Sequence, residues 1–100
     1  MSDFLKTPMS LFDVAGKVAI VTGASGAFGA LAAQVLAGAG AKLALVAGKV
    51  DALEETAVAC RELGAEVEAI NARPSDEAAC AAIVSKTVER FGRIDILVVA

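Results

Sequence analysis

Three glycines, Gly23, Gly26 and Gly29, stand between an apolar run and an alanine-rich segment in the stretch VTGASGAFGA. A glycine-rich turn that leads directly into a helix can bind a phosphate group, because its free N–H groups and the positive end of the helix dipole face the anion. In this interpretation Gly23 permits the tight turn, Gly26 lets a ligand approach the backbone, and Gly29 lets the helix pack on the strand without a side chain between them. The hydroxyl of Ser25 can bond a phosphate oxygen or the turn itself.

The elements around this turn decide whether it holds a phosphate or only reverses the chain. Predicted strands cover about residues 17–22, 41–47, 65–71 and 94–100, and predicted helices run to about residue 37 and over 51–63 and 76–91. Short apolar runs of this kind are typical of strands buried on both faces. Right-handed crossovers between them predict an α/β fold, a doubly wound parallel sheet in the order 3-2-1-4 with helices on both faces. A glycine turn after the first strand of such a sheet favours a nucleotide cofactor.

Composition limits the possible partners and compartment. The chain has 100 residues, enough for one domain, and a net charge of −3 with scattered basic residues, which argues against nucleic acid or an anionic membrane as the main partner. No apolar run reaches the ~18 residues of a membrane span, and the N-terminus lacks the pattern of a secretory signal, so we predict a cytoplasmic protein. Cys60 and Cys80 have no CxxC partner and the chain has no His, so we expect reduced thiols and no metal site.

The sequence predicts an arm at the N-terminal end and an exposed sheet edge at the other end. Residues 1–16 have mixed polarity and are predicted to form an N-terminal arm, whereas residues 17–100 are predicted to be the first half of a single nucleotide-binding domain. The last apolar run, IDILVVA, would form an exposed sheet edge, which is an aggregation liability. We therefore expect the protein to continue beyond residue 100 with strands that cover this edge.

From SLFDVAGKVAIVTGASGAFGALAA through VERFGRIDILV the chain resembles the short-chain dehydrogenase/reductase family. The resemblance implies a Rossmann-like domain, NAD or NADP as cofactor, and hydride transfer between an alcohol and a ketone. It also implies a catalytic Ser, Tyr and Lys, but these 100 residues contain no Tyr, so no catalytic residue is assigned and the three are expected beyond residue 100. The same later segments are implied to shape the substrate pocket and to build a dimer or tetramer interface.

The glycine turn departs from the most common form of that family. Its larger branch usually has TGxxxGxG, but TGASGAFG matches TGxxGxxG, which is typical of the extended branch of epimerases and dehydratases. The segment ERFGRIDILV resembles the larger branch, and this longer match favours a dehydrogenase, with an epimerase or dehydratase as the alternative. We expect the pyrophosphate to approach the backbone most closely at Gly26, with Ala27, Phe28 and Gly29 completing the cofactor-binding turn.

The end of the second strand bears on the choice of cofactor. Dinucleotide-binding folds place an acid there for the ribose 2′-hydroxyl, or a basic group for a 2′-phosphate. This chain has Gly48 and Lys49 at that point, which favours NADP over NAD. The nearest acid, Asp51, has capping-box spacing with Glu54 and is interpreted as a helix cap. Ser75 is interpreted in the same way as the cap of the next helix.

The ends of the third and fourth strands also depart from the family pattern. The family commonly has an Asp and an apolar residue beside the adenine, but Arg73 and Pro74 stand here, and proline offers no N–H. Stacking of adenine on the Arg73 guanidinium and an arginine that points to solvent are both left open. The usual NNAG begins here as Val99 and Ala100, and Ala100 is predicted to border the cofactor. These changes leave a non-catalytic NADP-binding regulator as a further interpretation.

Overall fold

A four-stranded parallel sheet organises residues 13–100, which are the part of the chain that the computed structural model describes. Along the chain the elements are β1 (Val18–Thr22), α1 (Ala27–Gly38), β2 (Lys42–Ala47), α2 (Val50–Glu62), β3 (Val67–Asn71), α3 (Glu77–Phe91) and β4 (Ile96–Val99). The strands are all parallel and lie in the order β3-β2-β1-β4, so the predicted fold class is confirmed. The predicted arm over residues 1–16 falls outside the described residues except for 13–16.

The two central strands explain why the sequence shows continuous apolar runs. Successive side chains of a strand point to opposite faces of a sheet, so a strand covered on both faces is apolar throughout. On one face Leu43 and Leu45 pack against α1 and α2. On the other face Ile20 and Val46 pack against Ile83 of α3. Helices therefore lie on both faces of the sheet, as predicted.

The start of α2 differs from the prediction. Asp51 does not cap this helix, because the helix begins at Val50 and Lys49 occupies the capping position without a side-chain hydrogen bond. Only two residues separate β2 from α2, so the first turn of the helix already contains Asp51. A carboxylate in the first turn still interacts favourably with the positive end of the helix.

The start of α3 also corrects the sequence analysis. The cap is Asp76, whose backbone is extended and whose carboxylate accepts a hydrogen bond from the Ala79 N–H at 2.8 Å. Ser75 was the predicted cap, but it lies one residue too early, and its N–H donates to the carbonyl of Arg73 at 2.8 Å. The residue that caps the helix is therefore the one that has an extended backbone immediately before it.

Asp95 joins the beginning of β4 to the beginning of β1. Its backbone N–H donates to the Val18 carbonyl at 2.8 Å, and its carboxylate accepts from the Val18 N–H at 2.9 Å. The guanidinium of Arg93 donates to the same carboxylate at 2.7 Å. These bonds hold the pKa of Asp95 below its ordinary value. The bond from Arg93 has the largest effect, and the bond from the Val18 N–H comes next. The ladder with β1 then begins one residue later, at Ile96.

Replacing Asp95 with Asn is expected to lower the free energy of unfolding near pH 7, because the amide carries no charge for Arg93 to pair with. Since the pKa of Asp95 is lowered in the folded state, its contribution is present above the unfolded pKa of about 3.9 and is lost as the pH falls through the folded value. Urea unfolding of the complete protein should show the gap between wild type and variant narrowing below about pH 4.

Glu89→Gln is the control for this measurement, because Glu89 is exposed on α3 and takes part in none of the ion pairs between residues 13 and 100. It should change the stability little at any pH. A gap between wild type and Asp95→Asn that stays constant from neutral to acidic pH would contradict the assignment.

The sheet face between β4 and α3 is left partly open. Leu97 is 62% exposed and Val99 is 74% exposed. With residues of β1 and α3 they line an apolar groove of about 430 Å³. β4 is an edge strand of the described sheet, as its position in the strand order predicts. Among residues 13–100, none of the helices combines the length and apolar character needed to cross a bilayer.

Candidate functional site

The carboxyl ends of the four strands open into a cleft of about 430 Å³. In a parallel sheet, ligands bind at this edge where the direction of strand order reverses, and β1 is that point here because β2 and β4 flank it. Most of the residues predicted to bind a cofactor line this cleft, namely Gly23, Ser25, Gly26, Gly48, Lys49, Arg73, Pro74 and Ala100.

Three of the predicted residues are not brought into the lining of the cleft. Ala27, Phe28 and Gly29 form the first turn of α1, and the Phe28 side chain is 67% exposed. These residues lie outside the lining because the helix begins immediately after Gly26. The first bond within the helix runs from the Ala30 N–H to the Gly26 carbonyl at 2.8 Å, so the N–H groups of residues 27–29 precede it. Such leading N–H groups are the donors that helix starts offer to anions.

Gly23 is required at the beginning of the turn for two reasons. Its φ of +65° lies in the left-handed region that side chains disfavour. A Cβ at this position would also lie only 2.6 Å from the carbonyl oxygen of Ala100, which follows β4. The predicted tight turn is confirmed by the bond from the Gly26 N–H to the Gly23 carbonyl at 3.0 Å.

An added side chain would have different consequences at Gly29 and at Gly26. A Cβ at Gly29 would overlap the carbonyl oxygen of Gly23 and would lie 2.7 Å from its carbonyl carbon. The close approach predicted at Gly29 is present, but its partner is the backbone of the turn at Gly23 and Ala24 and not the strand, because the turn lies between β1 and the start of α1. A Cβ at Gly26 would meet its nearest atom, the Gly23 carbonyl oxygen, at 3.5 Å, which is ordinary contact. The protein itself therefore does not require glycine at position 26, where the backbone borders the cleft.

A buried threonine holds the turn against the neighbouring helix. The hydroxyl of Thr56 on α2 lies 3.0 Å from the Ala24 carbonyl oxygen and 3.2 Å from the Ala52 carbonyl oxygen. The Ala24 N–H donates to the Val46 carbonyl at 3.1 Å, so the turn is also tied to the end of β2. Sequence reasoning missed Thr56. The available signal was a hydroxyl on the otherwise apolar buried face of α2.

The charges around the cleft are of one sign. Of the charged residues between positions 13 and 100, Lys49 and Arg73 line it, and none of the Asp or Glu residues in that range does. Both cations are exposed, and neither takes part in the ion pairs found between residues 13 and 100. This arrangement stands out in a chain with 12 acidic and 9 basic residues. The cleft is therefore suited to an anionic ligand.

Asn71, at the end of β3, fixes the end of β2. Its side-chain amide donates to the carbonyl oxygens of Ala47 at 3.0 Å and Gly48 at 3.2 Å. The Ala72 N–H donates to the Ala47 carbonyl at 3.2 Å. Sequence analysis did not single out Asn71, because only the pairing of β2 with β3 gives its amide these partners.

Arg73 lies over Gly48. A Cβ added at Gly48 would overlap the guanidinium of Arg73, and its distance to Nη2 would be 2.6 Å. The guanidinium therefore fills the space that a side chain at position 48 would take. Sequence analysis left the direction of this arginine open, and the structure turns it towards the end of β2.

Comparisons with known proteins agree with this geometry. A family model described as short chain dehydrogenase matches residues 17–100. The 11-beta-hydroxysteroid dehydrogenase A of Sesamum indicum is 42% identical over 98 residues, which are 95% of this chain and 28% of that protein.

Solved structures give the same result. NAD+-bound xylitol dehydrogenase matches with a TM-score of 0.81 and 37% identity, over 84% of this chain and 32% of that one. A short chain dehydrogenase/reductase from Burkholderia phymatum in complex with NAD matches with a TM-score of 0.82 and 36% identity, over 86% of this chain and 31% of that one. The chain spans less than a third of the length of each of these relatives.

Proposed function

Because the chain belongs to the short-chain dehydrogenase/reductase family, we propose that it is the cofactor-binding part of an NAD(P)-dependent oxidoreductase. The reaction is hydride transfer between the cofactor and an alcohol or ketone. The observation that carries the proposal is the cleft at the strand ends, where a glycine turn that opens a helix faces two cations and, within the described part of the chain, no acid. The relatives named above are a hydroxysteroid dehydrogenase and a xylitol dehydrogenase, which supports a small-molecule alcohol as the substrate class.

The residues of this chain fit a dinucleotide in three respects. The backbone at Gly26 is open to the cleft, and a Cβ there would have met no close protein atom. The start of α1 offers N–H donors that suit a pyrophosphate. The cleft volume of about 430 Å³ lies within the range of small-molecule and cofactor sites. When bound, the cofactor supplies or accepts the hydride, and this chain binds it and sets its orientation.

NADP is the favoured cofactor and NAD is the alternative. The acid that would bond a ribose 2′-hydroxyl is missing at Gly48, and Lys49 supplies a cation beside it. The two structural neighbours that hold NAD are separate proteins, so the preference for NADP rests on the charges of this cleft.

The remaining features of the whole protein are proposals of the same kind. We propose that catalytic Ser, Tyr and Lys residues and a homo-oligomer interface lie beyond residue 100, and that the enzyme works in the cytoplasm. The position of β4 at the edge of the described sheet, with two large apolar side chains exposed, supports further strands after it.

Two other functions have specific support. The glycine spacing TGxxGxxG, with Ala27 in place of glycine, supports an epimerase or dehydratase that uses the same cleft. The unusual pair Arg73 and Pro74, together with Val99 and Ala100, supports a regulator that binds NADP without catalysis.

A fluorescence titration of the complete protein with NADPH and NADH tests the proposal. We expect NADPH to bind at least about tenfold more tightly, which corresponds to one charge-assisted hydrogen bond to the added phosphate. A panel of alcohols should then support reduction of NADP. Binding of NADPH without any alcohol or ketone turnover would favour the regulator, and turnover without net change in the cofactor would favour the epimerase. Failure to bind either dinucleotide would contradict all three.

A further inference from the structure

We propose that Arg73, at the end of β3, binds the 2′-phosphate of NADP, and that the absent side chain of Gly48 makes room for it. The inference rests on the proposed NADP-binding function and deepens it. It assigns cofactor specificity to a pair of residues that follow two neighbouring strands, Gly48 after β2 and Arg73 after β3, in addition to Lys49.

The first support is the contact between the two residues. The Arg73 guanidinium covers Gly48 so closely that even a single methyl group at position 48 would overlap it. Position 48 is where dinucleotide-binding folds place the group that contacts the ribose 2′ position. The residue at this point in the chain contributes no side chain, and the guanidinium of Arg73, which follows the adjacent strand β3, occupies the place.

The second support is that hydrogen bonds hold together the two segments that carry Gly48 and Arg73. Asn71 donates two hydrogen bonds to the carbonyls of Ala47 and Gly48, and the Ala72 N–H donates to the Ala47 carbonyl. These bonds fix the end of β2 against the residues that immediately precede Arg73. The position of Arg73 relative to Gly48 is therefore fixed, and its guanidinium extends from there over Gly48.

The third support is the charge of the surroundings. A guanidinium binds phosphate through parallel N–H donors, which makes arginine more selective for a phosphate than a lysine is. Arg73 takes part in no ion pair within residues 13–100, and the lining of the cleft contains no carboxylate that could compete with a phosphate. Lys49 adds a second positive charge at the same edge.

The test uses two nucleotides that differ only in the 2′-phosphate, adenosine 2′,5′-bisphosphate and adenosine 5′-monophosphate. Calorimetric titration of the complete wild-type protein should show at least about tenfold tighter binding of the bisphosphate. Arg73→Gln should remove about tenfold of that preference while binding of the monophosphate changes by less than about threefold. Arg73→Lys should keep part of the preference, because the charge is retained without the paired donors.

Gly48→Ala provides a second, independent variant. The added methyl group would displace the guanidinium, so the preference should fall as in Arg73→Gln although both cations are still present. Lys86→Gln is the control for charge removal, because Lys86 is exposed on α3 and does not line the cleft. It should leave both affinities unchanged. Thermal unfolding of each variant shows whether the fold is retained.

The outcomes separate the inference from the function on which it rests. A wild-type protein that binds neither nucleotide overturns the proposed function. A wild-type protein that binds both equally overturns the preference for NADP and the inference, and leaves NAD as the cofactor. A bisphosphate preference that survives Arg73→Gln overturns only the inference. Equal loss of both nucleotides in that variant also overturns it, because it assigns Arg73 to the adenine and not to the 2′-phosphate.

Discussion

Replacing Gly26 with valine is expected to abolish binding of the nicotinamide cofactor and to leave the fold intact. The backbone at this residue, with φ −80° and ψ 167°, is open to any amino acid, and a Cβ would make only an ordinary contact with the Gly23 carbonyl oxygen. The valine would instead enter the cleft and keep the phosphate away from the N–H donors of the turn. Loss of two charge-assisted bonds would raise the Kd for NADPH by at least about 100-fold.

Ala27→Gly is the matched control for this prediction. Ala27 is the first residue of α1 and does not line the cleft, so the Kd for NADPH should change by less than about threefold. Fluorescence titration gives the affinities, and urea unfolding shows that both variants are folded. Normal binding by Gly26→Val together with loss of binding by Ala27→Gly would mean that the pyrophosphate lies against a different peptide.

Replacing Gly29 with alanine is expected to damage both the stability and the cofactor site. The new methyl group would overlap the carbonyl oxygen of Gly23, and that atom belongs to the backbone of the turn and cannot rotate away. Either α1 or the turn must shift, and overpacking of this kind costs about 1–3 kcal/mol. Because the turn itself moves, binding of NADPH should weaken together with the free energy of unfolding.

Gly38→Ala tests whether this effect comes from the contact or from glycine in a helix. Gly38 ends the same helix, and a Cβ there would have no atom within 4 Å. This variant should be as stable as wild type or more stable by up to about 1 kcal/mol, with unchanged binding. If urea unfolding shows the same change for Gly29→Ala and Gly38→Ala, the tight contact at Gly29 does not control stability.

The sheet and the glycine turn could be predicted from the sequence because their causes are local. The core strands are covered on both faces, so they appear as continuous apolar runs separated by helical patterns. Gly23 was interpreted correctly as the residue of a tight turn, and Gly29 as the residue of a close contact, although that contact is with the turn and not with the strand. The starts of α2 and α3 were wrong by one residue, since a cap depends on the local backbone angles, which residue type alone does not determine.

The parts of the site that sequence analysis missed all depend on contacts between distant segments. Thr56 reaches the Ala24 carbonyl across 32 positions, and Asn71 reaches the Ala47 carbonyl across 24. The hydroxyl of Thr56 on an apolar helix face was a signal of a buried polar contact, but the sequence does not show which carbonyl it meets, and nothing in the sequence of β3 sets Asn71 apart. The direction of Arg73 was open for the same reason, because only the neighbouring strand shows that Gly48 leaves space for its guanidinium.

The pairing of Asp95 with Val18 has a consequence for the order in which the protein folds. It joins residues 77 positions apart, whereas β1 already pairs with β2 at Val18 and Lys42. During translation the glycine turn and β2 emerge long before β4, and contacts between distant residues form late. Ala100, whose carbonyl oxygen lies over Gly23, follows β4 and therefore emerges after it. Pulse-labelled hydrogen exchange should therefore detect protection of the amides in β2 before those in β4. The ability to bind a nucleotide should appear only when β4 has become protected.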